Sequence, residues 1–141
     1  MHSKKEGTVP KDSSETFASS VPLRMLIVGR IMVATSHLAA PTLVARFFGM
    51  ESKGTVAVAY QQMFGIRNAA LALGLTRLDR FRSPEDFIRL NIVMDAVDAV
   101  AWIAAARRKE IAGSTTVMAP GVALSAVAAG ALALRLGRTA R

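Results

Sequence analysis

Hydrophobic residues along this chain gather into four long stretches separated by short polar connections. The first covers about residues 22–45 and is interrupted by Arg24, Arg30 and His37. The second, about 56–78, holds a single charge at its centre, Arg67. The third, about 86–106, carries Asp95 and Asp98, and the fourth, about 114–136, is uncharged from Ile111 to Leu134. Each approaches the roughly 20 residues that a helix needs to cross hydrocarbon. The pattern predicts an all-α protein, a bundle of four transmembrane helices over residues 21–138. A polar segment of mixed charge, residues 1–20, precedes it and is expected to be a disordered cytoplasmic tail, because it has too little apolar surface to offset the entropy of ordering.

Local signals place the breaks. Pro41 removes the backbone bond that would return to the carbonyl of His37, so a bend is expected there. Phe47 and Phe48 then suit a membrane interface. Thr55 is a candidate N-cap for the second helix. Ser83-Pro84-Glu85-Asp86 reads as a helix start, with a capping serine, a proline at the first position and acids in the first turn. Gly113 follows the Ala-Arg-Arg-Lys-Glu run that ends the third helix. Gly121, Ser125 and Ala129 form a small-residue stripe suited to close helix approach.

Composition changes this picture little. Apolar residues make up 52% of the 141 and aromatics 6%, which favours packed helices. The absence of cysteine excludes disulfides, cysteine zinc sites and thiol redox chemistry. The net charge of +8 falls mostly in the connections, with no long basic run or aromatic-interleaved patch. That distribution suits an anionic bilayer surface, and no nucleic-acid partner is expected. More Lys and Arg lie on the side shared by both termini than on the other, so the N- and C-termini are expected in the cytoplasm and the protein in the inner (plasma) membrane. The Arg107-Arg108-Lys109 run opposes that assignment.

The unusual chemistry is charge at membrane depth. Arg30, Arg67, Asp95 and Asp98 are two positive and two negative groups. A lone charge at a helix centre costs about 2.5–3.5 kcal/mol on the insertion scale, so pairing is expected. Arg67 and Asp98 each lie roughly 16 Å from the same membrane face, and Arg30 and Asp95 roughly 10–14 Å. Arg67–Asp98 and Arg30–Asp95 are therefore the expected pairs. Asn91, Asp95, Asp98 and Trp102 share one helical face, as do Arg30 with His37, and Tyr60 with Arg67 and Gly74. The expected polar network is Arg30, His37, Arg67, Asn68, Asn91, Asp95 and Asp98. Tyr60, Phe64 and Trp102 would wall a pocket beside it. Such a network can fix helix register or serve a ligand, and both readings stay open.

No cofactor and no metal are expected, and catalytic residues are unknown. His37 has one companion histidine, His2 in the tail, which gives haem no second ligand. There is no Walker loop, Gly-x-Ser-x-Gly or His-Glu-x-x-His. The Asp95-Ala-Val-Asp98 spacing is similar to the metal-binding aspartates of phosphatidyl-alcohol transferases. Ala99 stands where that motif has glycine, and no second aspartate pair follows, which excludes the match.

The four spans, the Phe64-Gly-Ile-Arg-Asn68 stretch and the Asp95-x-x-Asp98 pair resemble the small bacterial four-helix membrane proteins of the DoxX-like group, in pattern over residues 22–136. The resemblance implies the four-span architecture, and for some members an association with quinone-linked oxidation or oxidative-stress complexes. Three functions follow as expectations. The leading one is a non-enzymatic subunit with the lipid bilayer around it and a membrane-protein partner or a homo-oligomer. The others are a proton- or anion-linked carrier and a lipid- or quinone-binding enzyme. A cavity near the charges favours the last; a densely filled interior opposes it.

Overall fold

The computed structural model describes residues 20–111 and 113–139, and these are all helix, turn and loop. The expected tail, residues 1–20, lies outside the described residues except for Ser20. Helix α1 spans Val21–Ala39, α2 Pro41–Phe47, α3 Ala57–Leu75, α4 Pro84–Arg107 and α5 Thr115–Thr139, with a 3-10 turn at Leu78–Arg80.

The helix ends follow from local chemistry, with three departures from the sequence reading. The bend expected at Pro41 is a full break. Ala40 leaves helical geometry at φ −139° and ψ 52°, and α2 starts afresh on Pro41. Proline disfavours the helical region for the residue before it, which accounts for the break. Ser83 makes no side-chain cap; its carbonyl instead accepts the Asp86 N–H at 3.1 Å. Glu85 and Asp86 do occupy the first turn of α4, where the helix dipole favours negative charge. The N-cap of α3 is Val56 rather than the expected Thr55, whose Oγ1 accepts the Ala57 N–H at 3.2 Å from one position earlier. Gly113, at φ +64°, turns the chain toward α5 in a conformation that glycine adopts without penalty.

The four long helices form a ring. Helix α1 packs against α3 and α5, and α4 packs against α5, while α3 and α4 touch only sparsely. At the end where α1 begins and α5 finishes, here the basal end, Leu23, Leu26, Leu75, Leu78, Ile88 and Ala133 form a closed core. Glycines set its spacing. A Cβ on Gly74 would run into the Phe87 ring, and one on Gly130 would lie 2.7 Å from Ile92 Cγ1. The expected stripe plays no such part: nothing lies within 4 Å of a Cβ built on Gly121, and Ser125 is exposed. Gly130 makes the close approach instead.

Apolar side chains cover the outside of this ring. Val28 on α1, Met63 and Ile66 on α3, Val93, Val97 and Val100 on α4, and Leu124 on α5 are all more than half exposed. Met63 thus points outward rather than filling a core. Buried inside are Arg30, His37, Asn68, Asn91 and Asp95. Water-soluble domains keep exposed apolar patches small; this ring buries an apolar core at one end and also leaves many large apolar side chains exposed.

Two helices, α1 and the Thr115–Gly137 part of α5, are long and apolar enough to cross a membrane, and only 28% and 22% of their apolar windows are buried. A core helix of a soluble protein would be mostly buried. Helices α3 and α4 do not reach that composition: Arg67, Asp95 and Asp98 turn toward one another inside, while Asp86 and Arg89 form an exposed pair at the start of α4.

Candidate functional site

The polar groups meet halfway along the bundle, just beyond the basal core. Asp95 is held on α4 one turn after Asn91, and it faces Arg30 of α1. Arg30 Nη2 donates to Asp95 Oδ2 at 2.7 Å, and Arg30 Nη1 to Asn68 Oδ1 of α3 at 2.8 Å. One guanidinium therefore ties three helices together, and its side chain is only 4% exposed. Asn68 can accept because its amide nitrogen is used locally, donating to the Phe64 carbonyl at 2.9 Å.

Arg67 and Asp98 close the gap between α3 and α4. Arg67 Nη1 and Nη2 donate to Asp98 Oδ1 and Oδ2 at 3.0 and 2.5 Å, a fork-to-fork pair. The Phe64 ring lies 5.3 Å from the Arg67 guanidinium carbon, within cation–π reach. Both pairs expected from helix depth are formed. The two carboxylates and two guanidiniums cancel, so the site carries no formal net charge.

Asn91 has no exposure, donates to the Phe87 carbonyl at 2.8 Å, and leaves its Oδ1 without a partner. Arg30 Nε is a buried donor without a partner. His37, two turns beyond Arg30, sets its Nδ1 2.8 Å from the Val33 carbonyl and its ring 5.2 Å from Phe64. A carbonyl accepts only, so Nδ1 carries the hydrogen and Nε2 is bare in the neutral ring.

Above this polar floor the helices splay around a half-open cavity of about 1460 Å³. Arg30, His37, Asn68, Asp95 and Asp98 form its polar base. Its walls include Met32, Val33, Leu43 and Phe47 on one side and Val122, Ala126 and Ala129 on another. Arg67 does not line it; the guanidinium is taken up by Asp98. At the distal mouth Phe48 stacks on Trp102 with ring centroids 6.3 Å apart, and its carbonyl accepts the Thr115 hydroxyl at 2.7 Å.

Tyr60, Phe64 and Trp102 all lie along this cavity, but not alike. Phe64 and Trp102 are half-buried wall residues. Tyr60 lines the rim but is 66% exposed rather than turned into a closed interior. It shares a helical face with Arg67, yet lies beyond the point at which α3 and α4 part. Asn68 as a ligand of Arg30 and the glycine contacts are functional details that residue spacing alone does not reveal. Among the described residues no group of three or more His, Cys, Asp or Glu could hold a metal.

Comparison with family models, with curated proteins and with solved structures finds no match to this chain.

Proposed function

We propose that this chain is a four-span membrane protein that binds an amphiphilic, lipid-soluble molecule, with the polar end on the Arg30–Asn68–Asp95–Asp98 floor and the apolar body in the cavity above. The observation that carries this reading is the cavity itself. It is a half-open recess that combines apolar walls with a few converging polar groups, the make-up of small-molecule sites. A bundle whose charges served register alone would gain van der Waals contact by closing over them.

The apolar outer faces of all four long helices support four crossings. At 19 residues, α1 and α3 each reach about 28 Å, close to the roughly 30 Å of hydrocarbon. In this reading the basal end faces the cytoplasm, where most Lys and Arg collect, and the distal mouth faces outward. The basal core of Leu23, Leu26, Leu75, Leu78 and Ile88 supports a blind pocket over a carrier path. The DoxX-like resemblance is compatible with this architecture, and catalysis is not part of the proposal.

Native mass spectrometry from native bilayer, with the least possible detergent, tests the reading. The expected result is a bound small molecule that is absent from an Ala126→Trp/Ala129→Trp variant, whose cavity is filled. A bare chain, or one holding only a protein partner, would overturn the ligand reading and return the leading role to a subunit of a larger complex.

A further inference from the structure

We infer that the cavity is entered sideways, from the hydrocarbon of the bilayer, through a slot between α1 and α5 that an alkyl chain threads. This deepens the proposed function by giving the ligand its route, and it rests on that reading, above all on α1 and α5 crossing the bilayer. These are the two helices that are long and apolar enough to span by composition.

The slot is drawn by residues that line the cavity and are also exposed. On α1 they are Gly29, Met32 and Ser36, and on α5 Val122 and Ser125. A residue on a cavity wall that also faces the surroundings stands at an opening. Spacings of three and four set Gly29, Met32 and Ser36 along one edge of α1, over about 10 Å of rise. Toward the basal end the seam is shut. A Cβ on Gly130 would lie 3.9 Å from Leu26 Cδ2, and Leu26 belongs to the basal core. A Cβ on Gly29 would meet nothing within 4 Å, so no side chain closes over that point of the edge.

The edges of the slot suit hydrocarbon. Ser36 Oγ donates to the Val33 carbonyl at 3.0 Å and Ser125 Oγ to the Val122 carbonyl at 2.7 Å, so neither hydroxyl hydrogen is left unmet in lipid. The other ways in are polar. The Arg67–Asp98 pair spans the gap between α3 and α4. Glu51, Gln61, Lys109 and Glu110 line the distal mouth. An alkyl chain entering by that mouth must first leave lipid for water, whereas the slot passes it from one apolar surrounding to another.

Protein washed free of resident small molecules is reconstituted in phosphatidylcholine nanodiscs. A fraction of the lipid carries a diazirine at the end of one acyl chain, and adducts formed on irradiation are mapped by peptide mass spectrometry. Asn68 and Trp102, across the cavity from the slot, report the interior. Val97 and Val100 report the outer face of α4. The native chain and a Gly29→Ala/Ser125→Ala control are expected to carry adducts at all four positions. A Gly29→Leu/Ser125→Leu variant, whose slot is filled, is expected to lose those at Asn68 and Trp102. It should keep those at Val97 and Val100, which also report that it is folded and inserted. Met32→Phe/Val122→Phe, which fills the slot toward its distal end, is expected to do the same. Adducts at Val97 and Val100 alone in the native chain overturn the slot and leave the four spans and the ligand reading standing. Interior adducts undiminished in both filled variants overturn it in favour of another entrance. Adducts at none of the four positions in the native chain overturn the four-span reading, and the slot falls with it.

Discussion

Arg30 is the residue on which the interior depends. Its guanidinium holds α1, α3 and α4 in one register through Asn68 and Asp95. Removing one partner of a buried pair typically costs about 3–5 kcal/mol, since it strands a buried charge. Asp95→Leu is therefore expected to lower stability by about that amount, read as the folded fraction in a detergent unfolding titration. Arg30→Met in the same chain should restore most of it. The Arg67–Asp98 pair is more exposed, at 29% and 18%, so Asp98→Asn should lower stability and accumulation less, with partial rescue by Arg67→Gln. Absence of rescue in either double variant would show that the pair does not act as a unit. The exposed pair outside the spans behaves differently. A hydrogen bond from Arg108 holds the Glu110 carboxyl below its ordinary value. Its contribution is present at neutral pH and fades as pH falls through that lowered value. Both groups are fully solvated, so Glu110→Gln should leave the Tm unchanged within error.

Among the elements, helix contacts depend on where glycine sits. Gly130→Ala and Gly74→Ala gain helix propensity but push a methyl into Ile92 and Phe87. Overpacking of this kind costs about 1–3 kcal/mol, which outweighs the roughly 0.5–1 kcal/mol gained from replacing glycine in a helix. Both variants are expected to melt lower than the parent in the same nanodisc. Gly121→Ala meets open space and should melt at the same temperature or higher. The reverse order would mean that α5 packs through its Gly121 face. The helices and the two ion pairs were legible in the sequence because period and depth are local arithmetic: 1.5 Å per residue places Arg67 level with Asp98 when their helices run at similar tilts. The break at Ala40 was half legible, since Pro41 announces a disturbance without its size. The exposure of Tyr60, the cavity and the role of Gly130 were not legible. They depend on the angle at which α3 leaves α4, which long-range packing sets.

For the whole molecule the governing feature is its inversion, with charge at the centre and methyl groups on the surface. That arrangement suits a lipid surround, in which outward valines and methionines carry no penalty and an unpaired inner charge carries a large one. Among the described residues only α1 and α5 qualify as spans by composition, and a two-span protein would hold everything between residues 39 and 115 on one side. Four spans put the α3–α4 connection opposite the other two. The chain has no cysteine, so single cysteines report each connection without background. Lys53→Cys, Ser83→Cys and Ser114→Cys, probed in intact spheroplasts with a membrane-impermeant maleimide, separate the two cases. The account predicts labelling at 53 and 114 in intact cells, and at 83 only after lysis. Position 83 reacting on the same side as 53 and 114, or the chain fractionating with soluble protein, would contradict it.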